Sequence, residues 1–231
     1  MTQLTEKEHS QYVRDLFSRI APRYDLMNRL MTGGQDVHWR REVIHRAELK
    51  SGAFLLDIGA GTGDLAREAK RQQPNAKVCA ADFTLEMMRV GQQYDLFNNW
   101  SAADALRLPF ADNTFDAVVS GFLVRNVSSV DQTLREQFRV LKDGGHIVIL
   151  DTTRPRRNIL SPLIWIHMHM VIPLVGGLLS GEQRAYKYLP DTTENFLTAE
   201  TLADRMSAAG FKRVGFQRRM FGTIAIHWGK K

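Results

Sequence analysis

Three glycines alternate with small residues directly after a short apolar run in LLDIGAGTGDLA, residues 55–66. The apolar run predicts a buried strand and the residues after the glycines predict a helix. Ligands of doubly wound sheets bind beyond the carboxyl ends of the strands, where Gly59, Gly61 and Gly63 would let the backbone approach closely. A dinucleotide site would have Gly-x-Gly-x-x-Gly, but Asp64 stands at the last position. The spacing therefore favours S-adenosylmethionine, which has no pyrophosphate, over NAD.

Acidic residues follow the ends of successive predicted strands and suit the parts of that cofactor. Asp82 can accept both ribose hydroxyls, and Asp104 can accept the adenine amino group. Asp57 lies beside the glycine turn, near the expected place of the cofactor ammonium, and Thr62 offers a hydroxyl and an N–H. A single acid of this kind would be read as a turn former or helix cap. Together they predict an adenosylmethionine site made of Asp57, Gly59, Gly61, Thr62, Gly63, Asp82, Asp104, Ala105 and Gly121.

These residues need a sheet to hold them, and the rest of the chain predicts one. Apolar runs alternate with helical stretches between residues 53 and 152, which predicts a Rossmann-like, doubly wound, mostly parallel α/β sheet. Residues 212–229 predict two closing strands and an antiparallel hairpin at one edge. We expect a single domain with four parts: an N-terminal helical cap (1–50), a cofactor-binding core (51–152), an apolar lid insertion (153–190) and a closing helix and hairpin (191–231).

The charge is unevenly distributed along the 231 residues. Residues 152–231 hold 12 Lys/Arg against 5 Asp/Glu, whereas residues 1–151 hold 19 against 20. Such asymmetry suggests an anionic surface or substrate. The first residues contain no apolar signal-peptide region, and the single Cys79 lies in an apolar strand, which predicts a buried thiol in a reducing compartment. We therefore expect a cytoplasmic protein.

The segments that flank the core resemble the menaquinone/ubiquinone biosynthesis C-methyltransferases, a family of class I S-adenosylmethionine-dependent methyltransferases. IAPRYDLMNRLMTGGQDVHWR (20–40) is similar to the N-terminal signature, and FLVRNVSSVDQTLREQFRVLKDGGHIVILD (122–151) to the central region and second signature. The resemblance spans roughly residues 12–229. Four departures are Thr32 for Ser, Asp36 for His, Asp143 for Pro and ILDTT (149–153) for Leu-Glu-x-Ser.

The resemblance implies methyl transfer to a ring carbon of a prenylated demethylquinol, with demethylmenaquinol favoured over a benzoquinol of the ubiquinone pathway. It also implies a metal-free reaction in which a deprotonated phenol activates the neighbouring carbon. We expect Arg125 and Asn126 to face the acceptor, with Arg125 stabilising the developing oxyanion, and Tyr186 to act with them. The alternative for Arg125 is a surface ion pair with Asp131. Weaker candidates for a proton relay are Tyr24, Asp151 and His227.

The uncharged run ILSPLIWIHMHMVIPLVGGLL (159–179) is long enough to span a bilayer. A span would separate the closing hairpin from its sheet, so we predict a helical lid that lines a channel for an isoprenoid chain through Ile164, Trp165, Met168 and Ile172. A buried core helix or dimer helix is the alternative. His167 and His169 would diverge on a helix, so no metal site is expected. Peripheral contact with an anionic membrane is predicted from Arg154, Arg156, Arg157, Arg184 and Lys187.

Three other functions stay open at this point. A nucleic-acid methyltransferase would use the basic surplus, but SGFLVRNV (120–127) replaces the Asn/Asp-Pro-Pro-aromatic motif of amino-directed enzymes, so we expect no nucleic-acid partner. A phospholipid N-methyltransferase would also need an apolar insertion and basic flanks, although the first signature argues against it. A non-catalytic adenosylmethionine-binding assembly subunit would keep the same glycine loop. The oligomeric state, including a homodimer, is left undecided.

Overall fold

The computed structural model describes residues 6–94, 99–155, 161–166, 169–170 and 192–231. Its strands are β1 (Phe54–Ile58), β2 (Lys77–Asp82), β3 (Trp100–Ala102), β4 (Phe115–Gly121), β5 (Leu141–Thr152), β6 (Lys212–Arg219) and β7 (Ile224–Lys230). They form one seven-stranded sheet in the order β3-β2-β1-β4-β5-β7-β6. The first five strands are parallel, and β7 runs antiparallel to both β5 and β6. The predicted fold class is therefore confirmed.

Helices surround this sheet, and proline or glycine residues mark the breaks between the first three of them. Pro22 lies in a short 3-10 turn, Ala21–Arg23, between the first two helices. Gly33 and Gly34 take left-handed φ angles of 59° and 77°, which end the second helix and start the third. The helices are α1 (Glu6–Ile20), α2 (Tyr24–Thr32), α3 (Gln35–Arg46), α4 (Asp64–Gln72), α5 (Leu85–Gln92), α6 (Val130–Val140), α7 (Ser161–Ile166) and α8 (Ala199–Ala208).

The core consists of two apolar layers, one on each face of the sheet. Along β1, Leu56 and Ile58 join the layer that packs with α6 and α8, whereas Leu55 joins the layer that packs with α3 and α4. Burial of both faces explains why the strands read as continuous apolar runs. Cys79 is free and buried in β2, as the sequence predicts. The sheet is consequently rigid where its carboxyl ends present side chains to a ligand.

One boundary differs from the sequence expectation. The pattern predicts that α6 is closed by Asp143-Gly144-Gly145 and that the next strand starts at residue 146. In the structure α6 ends at Val140 and β5 begins directly at Leu141. Leu141 pairs with Phe115, and the register shifts between Phe115 and Ala117. The additional pairing extends the strand across the glycine pair, a tertiary contact that local patterns do not encode.

The first two helices, α1 and α2, pack near the carboxyl ends of the strands, whereas α3 packs on one face of the sheet. A third apolar cluster joins α1, α2 and α5 through Leu16, Ile20, Met27 and Met87, and the Ser18 hydroxyl donates to Glu86 over 2.9 Å. On α2, Met27 is buried while Leu26 and Leu30 are 55% and 48% exposed. The N-terminal helices therefore bury one face against the domain and present another to solvent.

Most of the predicted lid lies outside the described residues, including Met168, Ile172, Tyr186 and the basic residues Arg156, Arg157, Arg184 and Lys187. In the described part, Trp165 is 54% exposed and its ring stacks on His169 at 4.9 Å. The described residues contain no helix with the length and apolar character needed to cross a membrane. Nor do they contain a group of three His, Cys, Asp or Glu side chains that could hold a metal ion.

Candidate cofactor and acceptor site

A cleft opens at the carboxyl edge of the sheet, between the strand ends and helices α1 and α2. It encloses about 830 Å³ of empty space, including the solvent at its open mouth. Six of the nine predicted cofactor residues line it, together with the predicted acceptor residue Asn126. The six are Gly59, Gly61, Asp82, Asp104, Ala105 and Gly121.

Asp82 is fixed at the end of β2 by two backbone donors. The Gly61 N–H donates to Oδ2 over 2.7 Å and the Thr84 N–H donates to Oδ1 over 2.6 Å. Burial raises the pKa of this carboxyl, and the backbone hydrogen bonds oppose that rise. Because each carboxylate oxygen has a second lone pair, Asp82 can hold the glycine loop and still accept the ribose hydroxyls.

Glycine is required in the loop for conformation and for space. Gly59 and Gly61 have φ angles of 64° and 58°, in the left-handed region. A Cβ on Gly59 would lie 2.8 Å from Cδ1 of Leu123, a residue of the cleft wall. Gly63 differs, because it lies behind the cleft, and a Cβ there would lie 2.8 Å from the Trp100 ring. The first two glycines thus shape the cleft and the third packs the loop against β3.

Asp57 lies below the glycine loop and has one unsatisfied oxygen. The residue is 1% exposed, and the Ala66 N–H donates to Oδ2 over 3.1 Å. Within the described residues Oδ1 has no hydrogen-bond partner. Burial, together with the nearby Asp82 and Asp64 charges, raises the pKa of Asp57 to about 7. A buried, unpartnered carboxylate oxygen at this place fits a ligand ammonium, so the residues present fit adenosylmethionine.

The raised pKa of Asp57 predicts a pH-dependent cofactor affinity. In the folded protein Asp57 is largely protonated below its pKa of about 7, whereas a bound ammonium favours the carboxylate. Affinity should therefore rise as pH rises through 7, and the Kd of adenosylmethionine should fall by about eightfold between about pH 6 and pH 7.5. Isothermal titration calorimetry checks this. Asp57→Asn should flatten the profile, and an equally steep profile in that variant would contradict the assignment.

Two predicted cofactor residues have additional or different partners in the structure. Thr62 is 1% exposed and is not part of the cleft wall; its hydroxyl donates to Asp25 of α2 over 2.6 Å. Asp104 does line the cleft, and its Oδ1 accepts the Leu106 N–H over 2.9 Å in a local turn. The Thr62 partner lies 37 residues earlier in the chain, so spacing within the glycine loop gives no indication of it.

Arg125 and Asn126 lie just after β4, and of these two residues Asn126 lines the cleft whereas Arg125 does not. The Arg125 Nη1 donates to Asp151 Oδ1 over 2.9 Å, and their side chains are only 5% and 0% exposed. The surface pair with Asp131 does not form, since Asp131 pairs with Arg205 at 3.3 Å. Within the described chain, the buried Nε of Arg125 has no hydrogen-bond partner. Asn126 lines the cleft and its amide donates to the Phe122 carbonyl over 2.9 Å.

The weaker proton-relay candidates divide into three environments. Tyr24 lines the cleft, and burial raises the pKa of its phenol, an effect that the Asn28 hydrogen bond and the Arg125 and Arg40 charges partly offset. Asp151 is buried beneath Arg125. His227 lies away from the cleft, where its Nε2 contacts the Ala199 carbonyl at 2.9 Å and burial lowers its pKa to about 4. His227 is thus a core histidine.

Sequence reasoning missed the contribution of α1 to the cleft wall. Val13, Arg14 and Phe17 line it, and the Arg14 guanidinium lies 5.8 Å from the centre of the Phe83 ring. Phe83 follows Asp82 directly and is itself part of the wall. The helical periodicity of α1 was visible in the sequence, but periodicity alone does not show which surface a helix covers.

The sheet order and the acid-lined glycine cleft define the class I S-adenosylmethionine-dependent methyltransferases. Solved structures agree on the fold: an S-adenosylmethionine-dependent methyltransferase from Thermotoga maritima has a TM-score of 0.64 at 19% identity, covering 94% of this chain and 99% of that one. Phosphoethanolamine N-methyltransferase 2 from Haemonchus contortus, in complex with S-adenosyl-L-methionine, has a TM-score of 0.62 at 15% identity, covering 84% of this chain and 52% of that one.

The sequence comparisons identify the family within that class. The model of the ubiE/COQ5 methyltransferase family matches residues 3–231. A ubiquinone/menaquinone biosynthesis C-methyltransferase UbiE from Desulfotalea psychrophila is 44% identical, covering 95% of this chain and 90% of the relative. A demethylmenaquinone methyltransferase from Thermus thermophilus is 40% identical, covering 94% and 100%. The chain belongs to the ubiE/COQ5 methyltransferase family, and the resemblance noted in its sequence is confirmed.

Proposed function

We propose that this protein methylates a ring carbon of a prenylated demethylquinol in respiratory quinone biosynthesis, with demethylmenaquinol as the acceptor. The observation that carries the proposal is the family match over residues 3–231. That range contains both signatures and the residues that line the cleft. The relatives named as demethylmenaquinone methyltransferases support the naphthoquinol over the benzoquinol.

Different residues of the site would bind the cofactor and the acceptor. Asp82 would bind the ribose hydroxyls, Asp57 the ammonium and Asp104 the adenine amino group. When bound, adenosylmethionine supplies an electrophilic methyl group on a sulfonium sulfur. The glycine loop and the loop after β4 would bring the acceptor carbon to ~3–3.5 Å from that methyl, which is the distance needed for in-line attack.

Arg125 would act on the acceptor oxygen. Loss of a phenolic proton makes the neighbouring ring carbon nucleophilic, and that carbon forms its new C–C bond as the S–CH₃ bond breaks. The ring carbon then loses its own proton while the oxygen takes one up again, which restores the quinol, so one proton is released overall. The buried Nε of Arg125, which has no hydrogen-bond partner among the described residues, would be the donor to the quinolate oxygen while Nη1 stays on Asp151. Asn126 would orient the same ring, and Tyr186, outside the described residues, remains a predicted participant.

The acceptor is tested by offering labelled adenosylmethionine with three acceptors in parallel. Reduced demethylmenaquinol, a demethylated benzoquinol and phosphatidylethanolamine represent the three acceptor classes that the sequence left open. We expect faster transfer of label to the naphthoquinol than to the benzoquinol, and no transfer to the phospholipid. Label in neither quinol, with adenosylmethionine still bound, would contradict the proposal and favour a non-catalytic subunit.

We also propose peripheral contact with the anionic inner face of the cytoplasmic membrane, where a prenylated acceptor resides. Three described residues of the predicted lid, Trp165, Ile166 and Met170, are 54%, 43% and 58% exposed. The basic surplus of residues 152–231 complements an anionic surface. Cosedimentation with phosphatidylglycerol vesicles should occur at low salt and weaken at high salt. Absence of binding at low salt would contradict the contact.

A further inference from the structure

Charged side chains and the Thr62 hydroxyl form a connected network beside the glycine loop, on the side away from the cleft. We call it the docking network, and it joins α2, α3, the N-terminus of α4 and the loop. Its members are Asp25, Asp36, Arg40, Thr62, Asp64 and Arg67. None of them has been assigned to cofactor binding except Thr62, whose hydroxyl points into this network. The network therefore needs its own explanation.

The contacts converge on Thr62 from two elements. Its hydroxyl donates to Asp25 Oδ1 on α2 over 2.6 Å, and its carbonyl oxygen accepts from Arg67 Nη1 on α4 over 2.5 Å. The other guanidinium nitrogen of Arg67 lies 2.5 Å from Asp64 Oδ1 and 3.7 Å from Asp25 Oδ2. The hydroxyl of Thr62 is thus engaged by α2 and its carbonyl by α4.

The same network continues into α3. Arg40 pairs with Asp36 and places Nη2 3.3 Å from Asp64 Oδ2, with Arg40 and Asp36 side chains 9% and 1% exposed. Exposed ion pairs contribute little to stability because water screens them. The pair of Arg40 with Asp36 is shielded from water, so its charges are well stabilised only when both side chains keep this arrangement. Asp36, which departs from the family pattern, therefore supports the loop indirectly through Arg40 and Asp64.

Tyr24 connects the network to the cleft. It precedes Asp25 on α2, lines the cleft, and its Cε1 would lie 3.9 Å from a Cβ on Gly61. When Asp25 is held on Thr62, the Tyr24 ring is held against the glycine loop. One hydrogen bond and one guanidinium thus join α2 to the glycine loop, next to the residue of α2 that lines the cleft.

We propose that Asp25 and Arg67 are positioning residues for adenosylmethionine, which dock α2 on the glycine loop so that docking and cofactor binding are coupled. The cofactor favours the loop conformation that Thr62 presents to Asp25, and a docked α2 completes the wall that the cofactor contacts. Coupling between two such events is reciprocal: whatever docking adds to cofactor affinity, the cofactor adds to the protection of α2.

The test measures cofactor affinity and helix protection without acceptor, so that it is independent of which quinol is methylated. Asp25→Ala and Thr62→Val should each raise the Kd of adenosylmethionine by about tenfold, within the usual range of coupling. The double variant should bind the cofactor no more weakly than the single variant with the higher Kd. Thr62→Ser should bind the cofactor as tightly as the unaltered protein. In the unaltered protein the cofactor should slow hydrogen exchange of α2 amides, and that protection should disappear in Asp25→Ala.

Two controls separate docking from general stability. Glu68→Ala removes an ion pair with Arg71 on the same helix, in which the Arg71 side chain is 59% exposed, and should change neither readout. Asp25→Asn keeps an acceptor for Thr62 and should lose affinity less than Asp25→Ala while folding normally. The proposal is overturned if the single effects add in the double variant, if cofactor protects α2 equally in Asp25→Ala, or if Glu68→Ala weakens binding to the same degree.

Discussion

Replacing Asp82 by Asn is expected to weaken adenosylmethionine binding by about a hundredfold. Both carboxylate oxygens accept backbone N–H groups, from Gly61 and Thr84, over 2.7 and 2.6 Å. An amide can accept at only one of these positions, so its NH₂ group must face a backbone donor. The variant would lose the charge that binds the ribose and would also disturb the glycine loop. A hundredfold change in Kd is about 2.7 kcal/mol, which lies within the range of about 1.5–3 kcal/mol for one hydrogen bond to a charged group.

Calorimetric titration with adenosylmethionine measures the loss, and Asp116→Asn provides a matched control. Asp116, like Asp82, accepts a backbone N–H, from Phe54 over 2.8 Å, and in addition it pairs with Lys142. It lies beside the first residue of β1, at the opposite edge of the sheet from the cleft. Asp116→Asn should therefore leave the Kd unchanged. If Asp82→Asn binds the cofactor within fivefold of the unaltered protein, the ribose assignment is wrong.

Removal of Arg125 is expected to reduce both stability and turnover, for separable reasons. Arg125→Met would leave the Asp151 carboxylate buried without its partner, which costs about 3–5 kcal/mol of unfolding free energy. It would also remove the proposed donor to the quinolate oxygen, which lowers kcat by about 10²–10³. Urea denaturation measures the first effect, and initial rates at saturating adenosylmethionine measure the second.

A second substitution distinguishes the two roles. In Arg125→Met with Asp151→Leu the buried charge is absent, so much of the lost stability should return while kcat stays low. Recovery of kcat with stability would show that Arg125 only supports the fold. Arg205→Ala is the comparison for an exposed pair, because Arg205 and Asp131 are 39% and 55% exposed at 3.3 Å. That variant should change stability by less than about 1 kcal/mol.

The fold and the cofactor end of the cleft were predictable because their signals are local. A strand, a glycine turn and an acid at the next strand end each occupy a few consecutive residues, as Gly59, Gly61 and Asp82 show. The partner of Arg125 was not predicted, although the sheet order contains the information. Since β4 and β5 are neighbours and Gly121 pairs with Leu150, the loop after Gly121 must pass beside Asp151. The sequence offered Asp131 as the alternative partner of Arg125 only because Asp131 is closer in sequence.

The N-terminal helices show the other limit of sequence reasoning. Their lengths and breaks at Pro22 and Gly33 follow from helix propensity and backbone conformation. Their placement depends on pairs such as Asp25 with Thr62, which are 37 residues apart and have no distinguishing spacing. The start of β5 likewise depends on a contact between distant residues, because Leu141 is held in extended conformation by its pairing with Phe115 rather than by its neighbours in sequence.

The position of β7 has a consequence for how the chain is made. In chain order β7 follows the other six strands, yet it lies between β5 and β6 and pairs with β5 from His146 to Thr152. While the chain leaves the ribosome, the outer edge of β5 therefore stays open until β7 emerges. Its residues Ile147, Val148, Ile149 and Leu150, all fully buried in the finished protein, form an apolar strand edge of the kind that aggregates. Any stage of folding at which β1 to β5 have paired before β7 joins them would therefore expose this apolar edge.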